Sequence, residues 1–214
     1  MLRTSRTLRL AVATLTAVAV AGLAGCSNDE NNDMSGMDHG SSSAAPSTTG
    51  SSSTTASAAA GPHTQADVMF AQMMIPHHQQ AIEMSDIILT KDGINAQVAD
   101  LATQIKAAQG PEITTMSGWL AGWGQDPSPS MGMDHDTGGG MMSQADMQAL
   151  QQATGDEAEK LFLTGMIAHH RGAITMAENE TANGQNPDAK QLAQSIIDAQ
   201  QAEITTMKQL LEQL

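Results

Sequence analysis

The chain has 214 residues, enough for one ordinary domain with tails, and aromatic residues make up only 2% of it. A core must therefore be built from Leu, Ile, Ala and Met, and sixteen methionines is far above the usual share. The formal charge of −14 argues against nucleic-acid binding, which needs clustered Lys and Arg facing phosphate, and suits a surface that attracts cations.

Arg3, Arg6 and Arg9 precede an apolar run from Leu10 to Leu23. That run is too short and Ala-rich for a membrane span and is patterned as a secretion signal. It ends in Leu23-Ala24-Gly25-Cys26, which resembles the lipobox of bacterial lipoproteins. The resemblance implies a signal peptide over 1–25 and lipid on Cys26. It also implies an exported protein, anchored to the extracytoplasmic face of the bacterial cell membrane. The only cysteine would then be an anchor, unavailable to disulfides or metal.

Residues 26–63 are Ser, Thr, Ala, Asn and Gly with almost no large apolar side chain, a composition that predicts a disordered tether. Met34, Met37 and His39 lie inside it, and a similar group recurs as Met131, Met133 and His135, with Met141 and Met142 just beyond. Thioether with imidazole is a soft donor set that suits Cu(I) or Ag(I), so these residues form an auxiliary candidate site in the loops. Low-complexity drift is the alternative.

The remainder, 64–214, reads as helical. An amphipathic helix over Asp67–Thr90 carries His77 near the centre of a stripe made by Phe70, Met73, Met74, Ala81, Met84 and Ile88, with His78 at its flank. A second helix over Asn95–Ala121 carries Glu112 and Gln109 within its apolar stripe. A Gly-, Pro-, Met- and His-rich loop follows over 124–142. Ser143 caps a short helix to Gln152, a third long helix runs from Asp156 to about Glu180, and a last one from Pro187 to Leu214.

The long helices repeat. Phe70, Met74-Ile75, His77-His78, Ala81-Ile82 and Met84 match Phe162, Met166-Ile167, His169-His170, Ala173-Ile174 and Met176. Gln109, Glu112 and Met116 match Gln200, Glu203 and Met207. The repeats span about 64–123 and 143–214. Neither hairpin covers its apolar face alone, so the expected fold is all-α, an antiparallel four-helix bundle from a duplicated hairpin.

Buried imidazoles and carboxylates must pair with each other or with a metal. In the metal reading, His77, His78, His169 and His170 supply nitrogen, Met74, Met166, Met84 and Met176 supply sulfur, and copper, as Cu(I) or Cu(II), is the expected ion. Glu112, Glu203, Gln109 and Gln200 would then orient the imidazoles. No Glu-x-x-His of a di-iron site, zinc-protease motif, nucleophile elbow or phosphate loop occurs, so no enzyme is expected.

These motifs resemble the family labelled domain of unknown function 305, over about residues 65–214. Met74-Ile75-Pro76-His77-His78-Gln79, Met166-Ile167-Ala168-His169-His170, Gln109, Glu112, Met116, Trp119-Leu120 and Trp123-Gly124 carry the likeness. It implies a ferritin-like helical bundle in exported bacterial proteins, some linked to periplasmic copper binding and resistance. One departure stands out: Gly165 occupies the place of Met73, so the two half-sites differ wherever Met73 is a ligand.

The expected function is thus copper or silver sequestration or transfer by a lipoprotein, with no nucleic-acid partner. Homo-oligomers and a copper-transfer partner both fit the sequence. The rival is a structural or interaction lipoprotein whose inward His and Glu only stabilise the bundle.

Overall fold

The computed structural model describes residues 61–127 and 139–214. Within them the chain forms five helices: α1 (Gln65–Leu89), α2 (Ala96–Gly122), α3 (Gln144–Gln152), α4 (Gly155–Asn183) and α5 (Pro187–Leu211). There is no strand among the described residues. No helix among them is long and apolar enough to cross a membrane. The expected signal peptide over 1–25, Cys26, residues 26–60 of the expected tether with Met34, Met37 and His39, and Met131, Met133 and His135 lie outside the described residues; the tether's last residues, 61–63, are described, and His63 stacks on Trp123.

Side-chain caps set the helix starts where the sequence predicts them. Asn95 accepts from the Gln97 N–H, Ser143 from Asp146, and Asn186 from Asp188 and Ala189, with Pro187 preset for the first turn. Helix α2 continues through Pro111. The helices pair as two hairpins, α1 with α2 and α4 with α5; α1 also packs against α4, and the short α3 rests on both of them.

Two carboxylates tie the hairpins together reciprocally. Asp67, in the first turn of α1, accepts from the backbone of Gln185 and Asn186 in the α4–α5 turn, the latter at 2.7 Å. Glu159, in the first turns of α4, accepts from the backbone of Asn95 in the α1–α2 turn at 2.6 Å. Asp67 and Glu159 occupy the same place in the repeat. Each hairpin thus closes the turn of the other, which requires α1 and α4 to run antiparallel.

The apolar core is in two pieces. One joins Ala81, Met84 and Ile88 of α1 to Phe162, Leu163, Met166 and Ile167 of α4, with Ile105 of α2 and Ile204 and Met207 of α5. The other joins Val68, Phe70, Met74 and Ile75 of α1 to Ala173 and Ala177 of α4, with Met116 and Leu120 of α2 and Ile196 of α5. Along every long helix, the stretch between the two clusters carries polar side chains: His77 and His78, Gln109 and Glu112, His169 and His170, Gln200 and Glu203. A polar layer therefore crosses the middle of an otherwise oily interior.

Candidate metal centre

All four histidines of the layer are buried, none more than 1% exposed. His77 and His169 meet across the α1–α4 contact, ring centroids 3.6 Å apart and planes 37° from parallel. His78 and His170 turn instead to the second helix of their own hairpin. The His78 Nε2–H donates to Glu112 Oε2 at 2.7 Å, and the His170 Nε2–H donates to Glu203 Oε2 at 2.6 Å. Both carboxylates keep about a fifth of their side-chain surface in solvent, at 21% and 20%. These contacts correct one expectation: His78 and His170 do not flank the buried face but lie within it. Glu112 and Glu203 each hold an imidazole, and the rings they hold are His78 and His170.

The His77 Nε2–H donates to the Gly139 carbonyl at 2.7 Å. A carbonyl or carboxylate only accepts, so three of the four rings carry their proton on Nε2, and each neutral ring keeps its lone pair on Nδ1. Burial pushes His77 down to about 4; the Gly139 carbonyl opposes this and nearby His78 and His170 add to it. Burial, followed by the repulsion of His77, His170 and His78, holds His169 well below the ordinary imidazole range. Both rings are therefore neutral at pH 7, the form that offers a lone pair to a metal.

Many polar atoms in the layer lack a hydrogen-bond partner: Nδ1 of all four histidines, Nε2 of His169, and Oε1 of Gln109 and Gln200. Each such atom costs about 1–3 kcal/mol when buried without a partner. A donor set of neutral imidazoles is what a transition metal would satisfy, so the residues fit a metal chemically. Among the described residues, however, no three His, Cys, Asp or Glu side chains come together in a metal-holding arrangement. Thioether sulfur is the other soft donor that lies close to the layer.

The methionines flank the layer. Met74 lies in one apolar cluster and Met176 packs against it, whereas Met84 and Met166 lie in the other. Each side of the layer thus receives one thioether from α1 and one from α4. Met74, Met84 and Met166 are fully buried and Met176 is half-buried.

A strap missed by sequence reasoning covers the α1–α4 contact. Residues 139–142 run along α4, and Gln80 of α1 grips the Met142 backbone from both sides: its Nε2–H donates to the carbonyl at 2.9 Å and its Oε1 accepts from the N–H at 2.8 Å. Gly139 and Gly140 take φ of +123° and +74°, open to glycine and strained for other residues. Added Cβ atoms would fall on the Ala168 carbonyl from Gly140 and on the Gly139 carbonyl from Gly172. Met142, assigned to the loop site, therefore packs against the helical core, and Met141 beside it is half-buried.

An all-helical duplicated hairpin, with a buried imidazole layer flanked by thioethers, defines a class of small helical proteins with candidate metal centres. The chain belongs to the family described as domain of unknown function DUF305, whose model matches residues 67–211. A DUF305 fragment from Deinococcus radiodurans is 32% identical, with a TM-score of 0.66 over 72% of this chain and 100% of that one. A DUF305 protein of Streptomyces coelicolor described as secreted is 34% identical, with a TM-score of 0.64 over 69% of this chain and 91% of that one. CopM in its Cu(II)-bound form is 35% identical, with a TM-score of 0.60 over 69% of this chain and 96% of that one. CopM has also been solved bound to Cu(I) and to silver. A 55-residue stretch is 44% identical to the uncharacterized protein L153 of Acanthamoeba polyphaga mimivirus, covering 26% of this chain and 36% of that protein.

Proposed function

We propose that this protein is an extracytoplasmic, lipid-anchored copper-binding protein that sequesters or hands on Cu(I) or Cu(II), with Ag(I) as a surrogate. The observation that carries this reading is the buried layer, in which four imidazoles have their Nδ1 atoms unpartnered between two pairs of thioethers. His77 and His169 would hold the ion, and Met74, Met166, Met84 and Met176 are the adjacent sulfur donors. Glu112 and Glu203 would keep His78 and His170 in the tautomer that presents Nδ1. Copper bound there gains soft and borderline ligands that select it over magnesium and calcium. The likeness to CopM, solved with copper and with silver, supports the metal class. The likeness to a protein described as secreted supports export.

The helix pairing supports an antiparallel four-helix bundle of ferritin-like kind, with α3 lying in the connection between hairpins. We read the protein as a carrier or buffer and not as an enzyme. Anchoring at Cys26 and a copper-transfer partner belong to the same proposal.

The test is titration of the metal-free protein with Cu(I) against a chromophoric competing chelator, alongside the H77A/H169A double variant. Loss of tight binding in that variant is the expected outcome. Unchanged affinity sinks the interior site and moves binding to the sulfur-rich segments outside the described residues. One observation favours the rival reading, a purely structural role: the His78–Glu112 and His170–Glu203 contacts stitch each hairpin without any metal. That reading expects the same thermal stability with and without copper.

A further inference from the structure

Between Met73 and Gln80 the two copies of the repeat differ at four places: Met73 against Gly165, Pro76 against Ala168, Gln79 against Arg171, both exposed, and Gln80 against Gly172. Three of these places lie at contacts of the strap. Gly172 leaves room for the Gly139 carbonyl, the Ala168 carbonyl lies under Gly140, and Gln80 holds the Met142 backbone. At the third of them, a Cβ on Gly165 would stand 2.7 Å from Met142 Sδ. The sulfur of Met142 therefore lies over the Gly165 backbone, in the space that a side chain from that position would enter.

That space adjoins His169. Residues four apart share a helix face, and helical side chains lean toward the N-terminus, so the His169 ring lies over the turn that contains Gly165. His169 is fully buried, and neither of its ring nitrogens makes a hydrogen bond of normal geometry. The strap also touches it directly, because a Cβ on Gly140 would stand 3.3 Å from the His169 Cα.

We propose that Met142 is a thioether ligand to the metal held by His169, brought in by the strap where the second repeat has glycine in place of methionine. This rests on the copper reading above and names a ligand outside the repeated helices. A neutral sulfur beside a neutral imidazole favours Cu(I) and Ag(I) over harder ions. It also couples metal capture to the seating of residues 139–142, since the Gln80 grip and the thioether act on the same residue.

The experiment uses the full mature chain with 13C-methyl methionine and Ag(I), a diamagnetic probe. The expected result is a shift of the Met142 methyl in step with the His169 ring signals. M142L, which keeps the volume, should melt within a few degrees of the parent yet lose affinity for Ag(I) by about tenfold or more. Affinity should return in M142A/G165M, where the thioether issues from α4 itself. As a check independent of any variant, Ag(I) should protect Met142 of the parent protein from oxidation by peroxide, read by peptide mass spectrometry. A still Met142 methyl while His169 responds, with equal oxidation in the presence and absence of Ag(I), overturns the assignment and leaves the copper reading standing. Absence of any Ag(I) response at His169 overturns both.

Discussion

Gly172 sits inside α4, where alanine ordinarily stabilises a helix over glycine by about 0.5–1 kcal/mol. G172A is expected to do the opposite. The new methyl group would fall on the Gly139 carbonyl oxygen and crowd the Gly139 Cα at 2.9 Å. Both obstacles are backbone, so the strap has to lift and the hydrogen bond from His77 is lost. Breaking one buried hydrogen bond and leaving its donor without a partner costs about 2–4 kcal/mol in all. After the helix gain, a net loss of about 1–3 kcal/mol remains, or roughly 3–9 °C of melting temperature for a domain of this size. Gly118 of α2 is the internal control, because nothing lies within 4 Å of its added Cβ. G118A should therefore gain about 0.5–1 kcal/mol. Thermal and urea melts of the metal-free protein, followed by circular dichroism, measure both. If G172A is stabilised as much as G118A, the strap is not seated as described.

Further expectations concern titration and pairing. Burial, then the hydrogen bond and charge of Asp67, raise Glu180 from 4.5 to about 8, with Lys190 opposing weakly. A raised carboxyl contributes stability that is present below pH 4.5 and is lost as pH climbs through 8. E180Q should flatten that decline, and parallel pH–stability curves for parent and variant would refute the protonated Glu180. For His77, depressed from 6.5 to about 4, the sign reverses: stability of the metal-free protein is full above pH 6.5 and falls as pH drops through 4. That acid loss should shrink in H77Q; equal loss in both proteins sinks the neutral buried ring. In a double-mutant cycle, His78 and Glu112 should show a coupling of about 1–3 kcal/mol, and simple additivity would remove the contact from the account. M84A should cost about 2–5 kcal/mol in urea melts, since Met84 is fully buried in a packed cluster; a loss below about 1 kcal/mol contradicts that packing.

The helices and their repetition were legible because a 3.6-residue period, a cap at Ser143 and two copies of one motif all agree. The central meeting of His77 and His169 followed from their places in matching stripes. The pairing of the glutamates did not. Helix α1 packs against both α2 and α4, so more than one stripe of it is buried, and adjacent residues 100° apart both face inward. His77 faces the other hairpin and His78 its own, and a single-stripe reading cannot separate them. The strap was less legible still. Nothing in Gly139-Gly140-Met141-Met142 says where it docks; the available signal was that the repeat is broken at Gly165 and Gly172, whose meaning appears only when a backbone is seen against them.

The reciprocal ties from Asp67 to Asn186 and from Glu159 to Asn95 bear on the origin of the chain. Each half carries both the carboxylate and the turn that receives one, at equivalent positions. Two separate copies of a single ancestral hairpin could have closed the same contacts about a dyad, with facing imidazoles at its centre. Fusion of the two genes would have altered none of that geometry. It would have freed each copy to diverge, and the linker that joined them could then claim a place on one half alone.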